Sequence, residues 1–262
     1  MDGFNKQMKP RIGITLSGGG ARGAAHVGAL QALNDNGIFP AYFSGASAGA
    51  LVGALYCYGY TPIEILKLSQ TKDFLRIFKI EFFNKKLSRM NRLRGFLREC
   101  LPEDSFESLK IPLHLSLTNL NKGITEFFSE GKLVEPILAS CAVPFIFKPI
   151  TINEISYVDG GVLNNLPIEP IKNKVDKLIG ISICPHQELK TIKGIRMLSE
   201  RIFHLTVWNN VSYRLTKCDI PLEIEGSFNY SMFDVKSSEV LFEIGYNAMM
   251  DKIESVKHQL TL

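Results

Sequence analysis

The residue best placed for chemistry is a serine at the centre of GASAG, from Gly45 to Gly49. The residues before Ser47 predict a short strand, and the apolar residues after it predict a helix. A serine on such a turn projects its hydroxyl above the sheet, with the helix N-terminus aimed at it. Glycines two positions to either side let the backbone pass close to itself. The pattern predicts a nucleophile, and the alternative is a glycine-rich helix start that Ser47 caps.

A glycine-rich loop, SGGGARG from Ser17 to Gly23, follows the first predicted strand. Its glycines leave backbone N–H groups free and let an anion approach closely. The loop also matches the dinucleotide fingerprint G-x-G-x-x-G, but the second predicted strand ends without the acidic residue that would hold a ribose. We therefore interpret the loop as an oxyanion hole, in which N–H groups stabilise charge on a carbonyl oxygen. Its residues are Gly18, Gly19, Gly20, Ala21, Arg22 and Gly23. For Arg22 three interpretations stay open: it fixes the loop, it contacts an anionic head group, or it is a surface arginine at a helix start.

An acidic residue, Asp159, follows the predicted strand ISYV and precedes Gly160 and Gly161. The carboxyl ends of the strands are where the active sites of open α/β sheets lie. Taken alone, the Asp-Gly pair fits an ordinary turn equally well.

The elements that must position these motifs alternate along the chain as strand, turn and helix. This order predicts βαβ units and an α/β fold with a mainly parallel sheet covered on both faces. Strands are predicted at 11–16, 41–44, 113–120, 125–129, 155–158, 178–184 and 221–224. Helices are predicted at 24–33, 48–58, 133–142 and 238–258, through much of 61–101, and around Trp208.

Together these motifs resemble the patatin-like phospholipase family. The glycine loop, the G-x-S-x-G turn and the D-G-G motif stand in the family's order, and Ala139 to Pro144 (ASCAVP) matches its A-S-x-x-x-P block. The resemblance covers about 11–185. It implies a three-layer α/β/α sandwich with a mainly parallel central sheet and a helical insertion after the nucleophile helix. We expect a single domain over 1–262, with the insertion at about 61–101.

The resemblance also implies an activity, the cleavage of fatty-acyl esters through an acyl-enzyme on Ser47, with Asp159 as the base. The family is similar in this to phospholipases A, lysophospholipases and carboxylesterases, and it needs no cofactor, metal or catalytic histidine. A free aspartate, with a pKa of about 3.9, is a poor base, but burial raises that pKa. A triad remains the alternative, and His26 is the histidine closest to a motif.

The composition excludes several other classes of protein. Five widely spaced cysteines, an odd number without C-x-x-C, argue for reduced thiols in the cytoplasm, and against a disulfide framework or a zinc site. The N-terminus lacks the apolar core of a signal peptide, and no apolar run is long enough to span a bilayer. We expect a soluble protein that acts on a lipid or phospholipid and binds no nucleic acid.

The charge is concentrated in one segment, residues 72–98, which holds nine basic and two acidic residues in a chain of net charge +4. Apolar residues interleave with these cations, and Phe82 and Phe83 lie close to Lys85 and Lys86. Basic amphipathic helices bind anionic membrane surfaces, so the segment predicts peripheral membrane association. The alternative is a helical cap whose apolar side packs on the sheet.

Two other functions compete with hydrolysis. An acyltransferase would resolve the same acyl-enzyme with an alcohol or thiol instead of water. A non-enzymatic binding protein would carry a decayed site, against which the intact Ser47, Asp159 and glycine loop argue.

Overall fold

The computed structural model describes residues 10–78, 86–186, 188–189, 191–232 and 234–260. Within these residues, eight strands form one sheet. The strands are β1 (Ile12–Leu16), β2 (Tyr42–Gly45), β3 (Leu113–Asn119), β4 (Ile124–Phe128), β5 (Ile150–Ile152), β6 (Ile155–Asp159), β7 (Lys177–Ser182) and β8 (Ile220–Glu223). The helices are α1 (Gly23–Asp35), α2 (Ala48–Tyr58), α3 (Pro62–Ser69), α4 (Lys72–Phe78), α5 (Lys86–Cys100), α6 (Val134–Ser140), α7 (Gly194–Leu215), α8 (Ser238–Met250) and α9 (Ile253–Leu260).

The centre of the sheet is parallel. β1 pairs in parallel with β2 and β7, β2 with β3, and β7 with β8. β4 and β6 pair antiparallel with β3, and β5 pairs antiparallel with β6. The predicted α/β fold with a mainly parallel central sheet is therefore confirmed. Parallel strands place their carboxyl ends on one edge, so the loops after β1, β2 and β7 are neighbours there.

Helices cover the sheet on both faces. On one face, buried residues of β1 such as Ile14 belong to a large apolar core with α1, α2, α5, α6, α8 and α9. On the other face, Leu178 of β7 belongs to a smaller core with Val207 and Val211 of α7. Burying such a side chain stabilises the fold by about 1.5–3 kcal/mol. These two cores make the three layers that the sequence implied.

Strand β3 brings together two strand ends that are far apart in the sequence. Leu115 pairs with both β2 and β4, and Leu117 pairs with both β6 and β4. Because a strand residue has one partner on each edge, β4 lies on one edge of β3 and β2 and β6 share the other. They run towards each other, since β2 is parallel and β6 antiparallel to β3. Their last residues, Gly45 and Asp159, therefore lie opposite positions of β3 that are about 7 Å apart.

The predicted helical insertion after the nucleophile helix is present as α3, α4 and α5, within the described residues. Thr61 and Glu64 begin α3 with a capping box, which satisfies its first free N–H groups. The single domain over 1–262 stays a prediction.

Two elements differ from the expectation. The C-terminal helix predicted at 238–258 is two helices, α8 and α9, and the short β5 was not predicted. Met249 in α8 and Ile253 and Val256 in α9 are all buried, so the apolar spacing continued across the break and did not reveal it.

Candidate active site

Ser47 stands on the turn between β2 and α2 in a strained backbone conformation, with φ 51° and ψ −118°. A positive φ is unusual for a residue with a side chain and indicates a functional constraint. Gly45 and Gly49 permit the turn, because a Cβ on Gly45 would lie 2.5 Å from the carbonyl of Gly49 and one on Gly49 would overlap the carbonyl oxygen of Leu16. The Ser47 side chain forms no capping hydrogen bond to α2. The helix-cap alternative is therefore wrong for this hydroxyl.

The Ser47 backbone is held by a relay of hydroxyl groups. The N–H of Ser47 donates to Oγ of Ser140 at 2.9 Å, and that hydroxyl donates to the carbonyl oxygen of Ser116 at 2.8 Å. Ser140 belongs to the A-S-x-x-x-P block and ends α6. Through these two hydrogen bonds, the block connects the turn at Ser47 to the middle of β3, the strand with which β6 pairs.

Asp159 is buried at the end of β6. Its Oδ1 accepts a hydrogen bond from the N–H of Gly161 at 2.7 Å, whereas the buried Oδ2 has no hydrogen-bond partner among the described residues. Burial raises the pKa of Asp159 to about 7, against the opposing effects of the nearby Ser47 hydroxyl and the Gly161 N–H. Although Ser47 is close enough to lower this pKa, the unpartnered Oδ2 indicates that no well-aligned Ser47–Asp159 hydrogen bond is formed in this structure.

The D-G-G motif is more than a surface turn, because its glycines fit against β3 and Asn165. A Cβ on Gly160 would overlap the carbonyl oxygen of Ser116, and one on Gly161 would lie 2.6 Å from Oδ1 of Asn165. Positions 160 and 161 therefore accept only glycine, and this close fit holds Asp159 in place.

The glycine loop lies against Ser47. A Cβ on Gly18 would lie 2.8 Å from Cβ of Ser47. The N–H of Gly18 donates to Asn165 and the N–H of Ala21 donates to the carbonyl of Met232 at 2.8 Å, so neither is free. The N–H groups of Gly19 and Gly20 donate to no acceptor in the described part of the chain. These two are the loop donors available to a ligand.

Arg22 is buried, so it is not a surface arginine. Its Nε donates to the carbonyl oxygen of Tyr230 at 2.8 Å, and its guanidinium lies 4.9 Å from the centre of the Phe228 ring. Burial lowers its pKa. Among the described residues no carboxylate forms an ion pair with it.

Two cavities meet at Ser47. The first, of about 200 Å³, is called the polar cavity because charged and polar side chains line part of it; its lining includes Ser47, Asp159, Gly19, Arg22, Asn165, Cys184, Arg201 and His204 together with the apolar Leu189, Met197, Phe203, Val207 and Phe228. The second, of about 100 Å³, is the apolar cavity, and its lining includes Ser47, Leu51, Val52, Leu55, Ile65, Leu68, Phe74, Ile77, Met90, Leu93, Phe96 and Phe147. Val143 and Met232 line both. Ser47 and Asp159, separated by more than a hundred residues of chain, face the same polar space.

Two asparagines support the site, Asn165 in the segment between β6 and β7 and Asn210 on α7. The side chain of Asn210 accepts from the N–H of Asn165 at 2.7 Å and donates to the carbonyl of Gly161 at 3.0 Å. Oδ1 of Asn165 accepts from the N–H of Gly18 at 3.1 Å. The glycine loop, the D-G-G motif and α7 are thus joined by side-chain amides. The sequence reasoning missed both residues, because isolated asparagines have no spacing signal.

The histidines do not form the arrangement that sequence proximity suggested. His26 is fully buried, Nε2 lies 2.8 Å from the carbonyl oxygen of Ser17, and burial lowers its pKa to about 4. It lines neither cavity. His204 of α7 lines the polar cavity instead, and burial together with the charges of Arg22 and Arg201 lowers its pKa to about 4. The triad alternative would therefore have to use His204.

The basic segment is only partly described. Phe82, Phe83 and Lys85 lie outside the described residues. Elsewhere in the segment the apolar side chains pack inwards: Ile77, Met90, Leu93, Phe96 and Leu97 are buried. Arg94 forms two hydrogen bonds with Glu135 at 2.7 and 3.0 Å. In the described part of the segment, α5 thus packs against α4 and α6, as the helical-cap alternative expects.

Other features concern metals, thiols and membranes. The described residues contain no cluster of three or more His, Cys, Asp or Glu that could hold a metal ion. All five cysteines are unpaired. None of the helices that the structure describes is long and apolar enough to cross a membrane.

Comparison with known proteins identifies relatives of this chain. A sequence model of a family described as "Patatin-like phospholipase" matches residues 14–172, more than half of the chain. An uncharacterized mimivirus protein, R571 of Acanthamoeba polyphaga mimivirus, is 29% identical over 94% of this chain and 93% of its own length. Patatin-like phospholipase domain-containing protein 2 of Bos taurus is 31% identical over 80% of this chain and 46% of its own. The chain thus spans about half the length of several curated relatives that it matches. The crystal structure of VipD from Legionella pneumophila shares the fold, with a TM-score of 0.55 and 16% identity over 95% of this chain and 67% of that one.

Proposed function

Because the chain belongs to the patatin-like phospholipase family, we propose that it is a serine lipid acyl hydrolase with Ser47 as nucleophile and Asp159 as general base. The observation that carries the proposal is that a residue with a strained backbone and a buried carboxyl group line the same cavity. Ser47 adopts a positive φ, and Asp159 is buried with a pKa raised to about 7. Both features destabilise a fold, and functional sites are where such features are retained.

The proposed chemistry needs only these two side chains and the loop. Oγ of Ser47 attacks the carbonyl carbon of the ester, and its proton passes to Oδ2 of Asp159. The same proton then goes to the alcohol that leaves, which produces the acyl-enzyme. Water attacks the acyl-enzyme next, gives its proton to Asp159, and the proton returns to Oγ as the fatty acid is released. The free N–H groups of Gly19 and Gly20 are the proposed donors to the oxyanion.

The apolar cavity supports a long acyl chain as the group transferred. It begins at Ser47 and follows α2 through Leu51 and Val52 to Leu55. Eight residues of helix rise by about 12 Å, which gives the direction along which an acyl chain would lie beside α2. Apolar lining with few polar groups is typical of a site for a hydrophobic ligand.

The polar cavity supports a phosphate-bearing alcohol on the other side of the ester, which makes a phospholipid or lysophospholipid the proposed substrate. Arg22 and Arg201 line it, and neither forms an ion pair with a carboxylate of the described residues. Clustered like charges are unfavourable in a cavity unless an anion compensates them. A phosphate group in the leaving alcohol would supply that charge.

The experiment that tests the proposal combines labelling with turnover. A fluorophosphonate probe should label wild-type protein and fail to label Ser47→Ala, while Ser212→Ala, a matched serine on α7 outside both cavities, should label normally. Ser47→Ala should also lose hydrolysis of a short water-soluble ester. Labelling that survives in Ser47→Ala would place the nucleophile elsewhere.

Head-group preference is tested with two substrates that differ only by a phosphate, lysophosphatidic acid and a monoacylglycerol with the same acyl chain. We expect kcat/KM to favour the phosphate by at least about tenfold, the effect of roughly 1.4 kcal/mol. Arg201→Gln should reduce the preference, and Lys217→Gln, an equal charge change outside both cavities, should not. Equal turnover of the two substrates by the wild type would leave ester hydrolysis standing and exclude the phosphate site.

Hydrolysis and acyl transfer share every step up to the acyl-enzyme. Adding glycerol or a lysolipid to the same assay distinguishes them, because a transferase forms a new ester in place of free fatty acid. We propose water as the acceptor and the cytoplasm as the compartment, which the five unpaired cysteines support. Fractionation of cells that express the protein tests the compartment.

A further inference from the structure

Helix α7 presents apolar side chains to the outside of the molecule. Ile195 is 78% exposed, Leu198 40%, Ile202 56% and Leu205 39%. Their spacing of three, four and three residues places them on one side of the helix, in a stripe about 15 Å long. Single exposed aliphatic residues are common on soluble proteins, but a contiguous apolar stripe marks an interaction surface.

The stripe borders the polar cavity. Of the α7 residues that line that cavity, Arg201 lies three residues after Leu198 and four before Leu205, so it is their neighbour on the helix surface. Whatever the stripe contacts therefore lies beside a residue that lines the cavity containing Ser47.

The sequence around the stripe is basic. Residues 190–205 contain four basic residues and one acidic residue. Apolar residues within a basic helical segment are typical of helices that lie in the head-group region of an anionic bilayer. A docking surface for another protein would not require this charge.

We propose that the exposed face of α7, formed by Ile195, Leu198, Ile202 and Leu205, is the surface that docks the protein on an anionic lipid bilayer. The inference rests on the proposed function, because a lipid hydrolase must reach substrate that is held in a bilayer. It assigns the contact to α7 and not to the basic segment 72–98, in which Ile77, Met90, Leu93, Phe96 and Leu97 are buried. Docking at α7 brings a helix that lines the polar cavity onto the membrane surface.

The test uses the double variant Ile195→Gln, Ile202→Gln, which changes the two most exposed residues of the stripe. Its matched control is Ile63→Gln, Leu120→Gln, two exposed aliphatic residues of α3 and the turn after β3. Co-sedimentation is measured with vesicles of phosphatidylglycerol and phosphatidylcholine, and hydrolysis is measured with a short water-soluble ester. The α7 variant should lose vesicle affinity by about tenfold or more, since each isoleucine buries apolar area in the interface. The control should bind as the wild type does, and all three proteins should hydrolyse the short ester equally.

Several outcomes would overturn the inference without touching the proposed function. The first is a wild type that hydrolyses the short ester but does not bind vesicles, and the second is an equal loss in the control. The third is loss of binding on reversing Lys86 and Arg89 to Glu while the α7 variant still binds, which would assign the membrane contact to the basic segment. The fourth is a dimer of the wild type that the α7 variant abolishes, which would make the stripe a contact between two copies. Failure of the short-ester assay in the wild type would instead refute the proposed function.

Discussion

Replacing Asp159 by Asn should abolish activity and at the same time stabilise the fold at alkaline pH. In the folded protein the pKa of Asp159 is raised from 3.8 to about 7 by burial. Between these two values the folded state holds a proton that the unfolded state releases. The free energy of unfolding of the wild type therefore falls as pH rises through this window, and the loss is complete above pH 7. Asn carries no charge at any pH and escapes the penalty.

The magnitude follows from the size of the shift. Each pKa unit corresponds to about 1.4 kcal/mol, so three units set an upper limit of about 4 kcal/mol at pH 8. At pH 5 only about a third of the penalty has been incurred. The stability advantage of Asp159→Asn should thus grow by roughly 2–3 kcal/mol between pH 5 and pH 8. An asparagine can keep the hydrogen bond that Gly161 donates to Oδ1, so the local geometry is retained.

Urea unfolding of both proteins at pH 5 and pH 8 measures this difference, and charges elsewhere cancel because the two proteins share them. Activity is measured on the short ester, where Asp159→Asn should lower kcat by on the order of 10³-fold or more, as Ser47→Ala does. In the wild type kcat/KM should rise with pH and level off above an inflection near 7, since only the ionised carboxylate accepts the proton. If the stability advantage of Asp159→Asn over the wild type does not grow between pH 5 and pH 8, Asp159 is not a desolvated acid. Full activity in that variant would refute its role as base.

Three further predictions concern the surroundings of Ser47. Ser140→Ala should lower kcat by about tenfold and stability by about 1–3 kcal/mol in urea unfolding, because the buried N–H of Ser47 loses its acceptor. Leu51→Trp should shift the preferred acyl chain in a series of p-nitrophenyl esters from long to short, since the indole fills the apolar cavity next to Ser47. The control Ile63→Trp, on the exposed side of α3, should leave the chain-length preference unchanged. His204→Gln should retain most short-ester activity, and a loss equal to that of Ser47→Ala would replace the dyad by a triad.

How much of this could be predicted from the sequence depends on the range of the interaction. The turn at Ser47 was predictable because its constraint is local: Gly45 and Gly49 are needed by the turn itself. The strand before Asp159 was equally predictable from its apolar pattern. Their meeting was not derivable from spacing, because it depends on β2 and β6 sharing one edge of β3. The family resemblance supplied that pairing in place of a physical derivation.

The glycine loop shows a different limit. The sequence identified Gly18 to Gly23 as a source of N–H groups but could not tell which were occupied. Asn165 and Met232 accept from Gly18 and Ala21, and both lie far along the chain. Arg201, His204 and Asn210 were missed for a related reason. They come from α7, whose residues face the cavity on one side and solvent on the other, and no short motif marks which side is which.

The basic segment and α7 together show why composition alone does not locate a membrane surface. Both regions combine cations with apolar residues, so neither pattern distinguishes a cap from an interface. What distinguishes them is the direction of the apolar side chains. In α5, Leu93 and Phe96 enter the core and line the apolar cavity, so they are no longer available to lipid. In α7, Ile195 and Ile202 point away from the core. Exposed apolar area is unfavourable in water, and its retention on a helix that also lines the polar cavity is the physical reason to expect that a bilayer covers it.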